Sequence, residues 1–203
     1  MDKHLFFDPS WSPGGKSLVY LDCLPDEDPG HVTADLCVAT MGDDGVWGHR
    51  WLTREQRQWF GTAFGPADAR GGGSNTSTFA PDGRTVTYTR LTPGAHPDCY
   101  FDPERPNHEE NVYAPERAKG GTQICLIDIE TGAVEELTSA VEGRWDFRPQ
   151  WSPTGSCLSF VRVPAAGAAS ELWLMDGDGS NQRLLTKGPR GDNGYMCVFV
   201  YLF

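Results

Sequence analysis

An all-β fold made of repeated four-stranded units is predicted by three features of the chain. A turn motif occurs three times, as Trp11-Ser12-Pro13-Gly14-Gly15, Phe79-Ala80-Pro81-Asp82-Gly83 and Trp151-Ser152-Pro153-Thr154-Gly155. The same alternation follows each copy: the third residue after the last Gly is Leu18, Val86 or Leu158, and the fifth is Tyr20, Tyr88 or Phe160. Helix-period stretches are scarce, the one candidate being Arg54 to Phe60, which Gly61 would stop.

The first strand of each unit runs into the turn motif. Pro presets φ for a tight turn and Gly relieves its strained corner, so each motif reads as a hairpin. The alternating residues after it give a second strand with one apolar face. Third strands are Leu36-Cys37-Val38, Ile124-Cys125-Leu126 and Leu172-Trp173-Leu174, apolar on both faces, as a strand between two neighbouring sheets requires. A Gly-bearing turn follows, at Asp43-Asp44-Gly45, Glu130-Thr131-Gly132 or Asp176-Gly177-Asp178-Gly179. The fourth strand ends at Leu52-Thr53, Leu137-Thr138 or Leu185-Thr186. Four short strands joined in this way describe one blade of a β-propeller. The expected boundaries are blade 1 at about 7–53, an insertion at 54–73, blade 2 at about 74–138 with an insertion at 91–120, blade 3 at about 145–186, and a remnant strand in 187–203.

On these residues the chain resembles the TolB-like, WD40-like propeller repeat. Aromatic-Ser-Pro-Asp-Gly, an apolar strand, Leu-Trp-Leu-Met-Asp-Gly-Asp-Gly-Ser-Asn and a closing Leu-Thr carry the likeness, and the copy from Pro149 to Thr186 is nearest. Copy two departs with Ala80 for Ser, and copy one with Gly14 for Asp. The resemblance is specific for fold and weak for function, because such blades serve scaffolds, sugar-acting enzymes and peptidase gates alike.

A propeller closes with about 4–8 blades, and the 203 residues hold three copies and a remnant. The end blades are therefore expected to expose apolar faces unless missing blades or a second copy cover them. Met1-Asp2-Lys3-His4 shows no secretory signal. Gly188 to Gly194 reads as the approach to another blade. Tyr195 to Phe203, too short to span a bilayer, reads as the first strand of a truncated or frame-shifted blade, or as a strand that completes an early blade.

A formal net charge of −11 argues against nucleic acid and anionic membranes as partners. Of the six cysteines, Cys37 and Cys125 occupy equivalent third-strand positions and read as small core residues, and Cys157 lies beside Leu158 on a second strand. No pair has the Cys-x-x-Cys spacing of a metal site. Cys23 and Cys99, both in loops, form the pair to test for a bridge.

Strand parity places the short Pro-Gly and Asp-Gly turns on one rim and all the long segments on the other: 22–34, 54–73, 91–120, 139–148 and 162–170. Insertions gathered on one rim of a rigid scaffold are where binding usually sits. The candidate binding residues there are His31, Trp59, His96, Asp98, His108, Glu109 and Arg144. His31 lies beside Asp26, Glu27 and Asp28, and the 91–120 segment adds Asp102 and Glu110. His96, Asp98 and His108 are the candidate Zn²⁺ or Mn²⁺ ligands, yet their spacing matches no ligand signature, so no cofactor is expected. Arg144-Trp145-Asp146-Phe147-Arg148 sets cations beside aromatics and suits an acidic sugar or a carboxylate terminus. A purely structural role, with Arg148 paired to Asp146, is the competing reading.

Asp176 to Gly179 lacks the further oxygen ligands of a calcium loop and reads as a turn. Gly71-Gly72-Gly73-Ser74 lacks the setting of a phosphate cradle. No catalytic residue is assigned, since neither Gly-x-Ser-x-Gly nor His-Glu-x-x-His occurs, and Ser12 and Ser152 read as turn caps. Two function classes follow from the resemblance. One is a non-enzymatic module, often of the cell envelope, that binds protein or peptide through its long-loop face. The other is a propeller enzyme or enzyme domain that acts on acidic oligosaccharides or gates a peptidase.

Overall fold

The computed structural model describes residues 5–25, 32–53, 58–59, 77–92, 95, 120–165 and 168–187. Every regular element among them is a strand, and among these described residues no helix is long and apolar enough to cross a membrane. The chain is all-β, a β-propeller with open sheets, and its described residues form three four-stranded blades.

Blade 1 comprises β1 (Leu5–Trp11), β2 (Ser17–Pro25), β3 (Val32–Met41) and β4 (Trp47–Trp51), each antiparallel to the one before. After β5 (Gln58–Trp59), blade 2 comprises β6 (Thr78–Phe79), β7 (Thr85–Leu91), β8 (Thr122–Asp128) and β9 (Val134–Glu136). Blade 3 comprises β10 (Trp145–Trp151), β11 (Cys157–Val163), β12 (Glu171–Asp176) and β13 (Arg183–Lys187). The innermost strands sit side by side, β6 against both β1 and β10. Blade 1 draws all four of its strands from residues 5–51, so it needs no strand from elsewhere to complete it.

Within the one helix-period stretch, Arg54 to Phe60, the described residues Gln58–Trp59 form the strand β5. Trp59 pairs with Thr33 and Gln58 with Ala34, antiparallel to β3. The reason lies in β3, which outruns β4: its Cys37–Met41 half pairs with β4, and its other half offers an open edge. A seven-residue helix is marginal alone, whereas strand addition satisfies backbone groups already in place.

The turn motifs explain themselves at atomic level. Ser12 Oγ accepts the Ser17 N–H at 3.0 Å, and Ser152 Oγ accepts the Cys157 N–H at 3.2 Å. Where the second copy has Ala80, Asp82 takes over, accepting the N–H groups of Arg84 and Thr85 at 2.8 and 2.9 Å. In the last turn Asp178 Oδ1 accepts the Ser180 N–H at 2.9 Å, and Gly179 supplies the positive φ of 81°.

The core lies between blades rather than within them. Each blade has a front and a back. The back of blade 1 (Val19, Leu21, Leu36 and Val38, with Leu52) packs on the front of blade 2 (Phe79, Val86, Tyr88, Cys125 and Ile127). The back of blade 2 (Ile124, Leu126 and Leu137) packs in the same way on the front of blade 3 (Trp151, Leu158, Phe160, Trp173 and Met175). Burying one such Leu or Phe contributes about 1.5–3 kcal/mol, so the blade stack itself is the main source of stability. Burial raises the Cys37 and Cys125 thiols to about 12 and about 11, which suits their core placement.

Candidate functional site

Backbone hydrogen bonds show how the two rims are assembled. On one rim the Met41, Ile129 and Gly177 N–H groups bond to the Lys16, Arg84 and Ser156 carbonyls, which holds the two short turns of each blade side by side. On the other, the Thr92 N–H bonds to the Gly121 carbonyl at 2.9 Å, and the Thr122 N–H to the Arg144 carbonyl at 3.1 Å. The crossover from blade 2 to blade 3 is thus stitched to the base of the long β7–β8 connection. Gly121 makes this approach possible: a Cβ there would collide with the Arg144 carbonyl oxygen.

The stitched segment delivers a charged cluster. Asp146, fully buried on β10, receives both arms of Arg162 from β11: Nε donates to Oδ1 at 2.6 Å and Nη2 to Oδ2 at 2.8 Å. This is the fork geometry that makes arginine–carboxylate pairs strong. The Arg162 guanidinium also stacks 4.5 Å from the Trp173 ring centroid and 5.1 Å from that of Phe160, a buried cation–π clamp. Its Nη2 donates further to Gln182 Oε1 at 3.1 Å.

Arg144 approaches the same carboxylate from the rim. Its Nε lies 3.4 Å from Asp146 Oδ2, an ion pair without a hydrogen bond, while Nη2 donates to the Ser139 carbonyl and hydroxyl. Burial, together with the Arg162 charge, pulls its pKa below the usual arginine value, and Asp146 opposes that shift. Two guanidinium groups therefore converge on one carboxylate. Glu171, across from Arg162 in register, accepts the Trp173 Nε1–H at 2.8 Å.

A second feature sits on the innermost strands. β1 and β10 carry the same bulge, between Phe7 and Ser10 and between Phe147 and Gln150. At its corner Asp8 and Arg148, each followed by Pro, adopt positive φ of 48° and 55°. For non-glycine residues such a backbone costs of order 1–3 kcal/mol and persists only when its surroundings enforce it. Burial pushes the Asp8 carboxyl up, and the Arg148 charge acts in the opposite sense. The competing structural reading paired Asp146 with Arg148; the side chain that takes both carboxylate oxygens is Arg162, while the field of Arg148 reaches Asp8.

Of the sequence candidates, Arg144 is the one whose side chain is described, and it is placed on the long-loop rim. Trp59 is placed through its backbone in β5. His31, His96, Asp98, His108 and Glu109 lie outside the described residues, as do Asp26, Glu27, Asp28, Asp102 and Glu110, and Cys99. Among the described residues no group of three His, Cys, Asp or Glu could hold a metal ion. Arg162 and Asp8 were not singled out from the sequence, although a signal existed. Arg162 stands two residues after the second-strand aromatic, where the other copies have Asp22 and Arg90, also charged. Asp8-Pro9 aligns with Arg148-Pro149 in the same way.

No family model and no curated protein matches the sequence. Solved structures do. An oligogalacturonate lyase in complex with manganese is similar at 15% identity and TM-score 0.55, over 92% of this chain and 43% of that one. Prolyl oligopeptidase B from Galerina marginata is similar at 14% identity and TM-score 0.52, over 90% of this chain and 22% of that one. A chain of a nidogen–laminin complex is similar at 10% identity and TM-score 0.50, over 92% and 49%. This chain spans less than half the length of each. At these identities the likeness shows the fold, which is the β-propeller.

Proposed function

We propose that this chain is a TolB-like propeller module that binds a protein or peptide through its long-loop rim, with Arg144 engaging a carboxylate of the partner. The observation that carries this reading is the cluster in which Arg144 and Arg162 share the single carboxylate of Asp146. Arg162 takes both oxygens in short hydrogen bonds and is walled in by Phe160 and Trp173, so its charge is spent internally. Arg144 is left with a longer ion pair, on the rim, in a chain whose net charge is −11. An anionic group arriving at the rim can pair with the exposed part of this half-buried guanidinium, whose Nη2 Ser139 anchors.

The test compares two versions of one fluorescently labelled random decapeptide library, ending in a free carboxylate or in an amide, by polarisation against the wild type, Arg144→Lys and Arg144→Gln. Hydrogen bonds to charged groups contribute about 1.5–3 kcal/mol, so the free carboxylate should bind at least about tenfold tighter than the amide. Arg144→Gln should erase that preference, and Arg144→Lys should retain part of it. Equal binding of both libraries would overturn the reading. Cleavage of an oligogalacturonide by the wild type, lost in Arg144→Gln, would replace it with the enzymatic one.

A further inference from the structure

Two corners of the innermost strands are built alike and carry opposite charges. Asp8 on β1 and Arg148 on β10 each sit at the bulge, each at positive φ and each before a Pro. A following Pro pushes the residue before it toward extended backbone, so the left-handed conformation is disfavoured there twice over. If the bulge had only to bend the strand, Gly would do so without a Cβ in the way. A charged side chain at both corners needs a further reason. Bulges re-aim side chains, and backbone strain of this kind gathers at ligand clamps.

The surroundings of Asp8 supply that reason. Its Oδ2 is buried and, among the described residues, has no hydrogen-bond partner. Arg148 acts on this carboxyl through its charge. Between their strands stands β6, which contacts both. Thr78 Oγ1 donates to the Pro149 carbonyl at 3.3 Å and so ties β6 to the Arg148 corner. Ser77, two residues before Phe79, takes the repeat position that Pro9 holds before Trp11 and Pro149 before Trp151. It is fully buried, and among the described residues its hydroxyl has no hydrogen-bond partner. Equivalent positions of blades set around one axis lie at one height. One layer thus holds a carboxylate, a hydroxyl and a guanidinium, with two buried oxygens that call for a group to pair them.

We propose that this layer binds a free α-amino acid, with Asp8 taking its ammonium group, Arg148 its carboxylate and Ser77 a hydrogen bond between them. An ammonium brings three donors to the unpaired Asp8 oxygen. A carboxylate suits the guanidinium fork. The opposed charges select a zwitterion, since a lone cation would be repelled by Arg148 and a lone anion by Asp8. The site is separate from Arg144, which lies on the long-loop rim.

Saturation-transfer NMR with an equimolar pool of the common α-amino acids tests this on the 203-residue chain. At least one member should bind. Calorimetry should then place that amino acid at least about tenfold tighter than its N-acetyl derivative and at least about tenfold tighter than its amide, because hydrogen bonds between charged groups are the strong ones. Asp8→Asn should erase the first preference and keep the second; Arg148→Asn should do the reverse. Asn tolerates the left-handed backbone, so both variants should keep the wild-type circular dichroism spectrum. Ser77→Ala removes only the hydroxyl and should weaken binding while leaving both preferences in place. No binder in the pool would overturn the proposal. A binder indifferent to both Asn variants, or one that does not distinguish the amino acid from its two derivatives, would overturn it as well.

Discussion

Replacing Asp146 with Asn keeps the shape of the side chain and removes the one charge on which Arg144 and Arg162 converge. Asp146 is fully buried and Arg162 nearly so, so water cannot substitute for the lost carboxylate. Removing one partner of a buried pair costs about 3–5 kcal/mol, because the other charge is left uncompensated. The loss should be at the upper end here, since two cations would then face each other without their common anion. A domain of this size loses about 2–4 °C of melting temperature per kcal/mol, so at about 5 kcal/mol Tm should fall by roughly 10–20 °C. The assay is urea unfolding followed by tryptophan fluorescence, with Asp178→Asn in an exposed turn as reference. The double variant Asp146→Leu with Arg162→Met should be more stable than Asp146→Asn, because it removes both members of the fork rather than stranding one. An Asp146→Asn midpoint within about 1 kcal/mol of wild type would refute the argument, and so would simple additivity in the double variant.

Three further outcomes follow from the same structure. Asp8→Asn should stabilise the chain at neutral pH and lose that advantage near pH 3: burial raises the folded carboxyl above its ordinary 3.8, so the stability it lends is complete below that value and disappears as pH rises through the folded pKa. Thermal melts of both proteins at several pH values would show it, and a difference that grows on acidification would refute it. Cys37 and Cys125, raised to about 12 and about 11 by burial, should resist iodoacetamide in the native protein at pH 8 and react fully in urea, as read by mass spectrometry. Gly121→Ala should cost about 1–3 kcal/mol in urea and weaken carboxylate binding at Arg144, since the added methyl must displace the Arg144 carbonyl; unchanged binding would show that the crossover is not what places the guanidinium.

The fold was legible because a repeat states its pattern more than once. Trp11, Phe79 and Trp151, each before a Pro-Gly turn, fix the first hairpin of every blade, and Tyr20, Tyr88 and Phe160 fix the second strand. The site was legible only in part. Arg144 stood out as a cation beside an aromatic, but its relation to Arg162 depends on β10 and β11 pairing in the register that sets Asp146 opposite Arg162. Adjacent sequence had suggested Arg148 instead. The bulge at Phe147 with positive φ at Arg148 interrupts the simple alternation that would have set residues 146 and 148 alike, and its trace in the sequence is the repeated X-Pro step at Asp8-Pro9 and Arg148-Pro149. The pairing of Gln58–Trp59 was illegible for a similar reason, because the open edge of β3 exists only after blade 1 has formed.

The spacing of strands within blades also bears on the order in which the chain folds. In blades 1 and 3 the second and third strands are joined by 6 and 7 residues, 26–31 and 164–170. In blade 2 the same pair, Leu91 against Thr122, is separated by the 30 residues 92–121. Closing 30 residues rather than 7 costs about 1.3 kcal/mol more in chain entropy, which is roughly a tenfold slower step. The outer blades can therefore assemble from short hairpins while the middle blade is still searching for its partner strand. Because both interblade cores need the middle blade, the slowest hairpin is the one on which all tertiary structure waits, and shortening 92–121 would speed the folding of the whole chain.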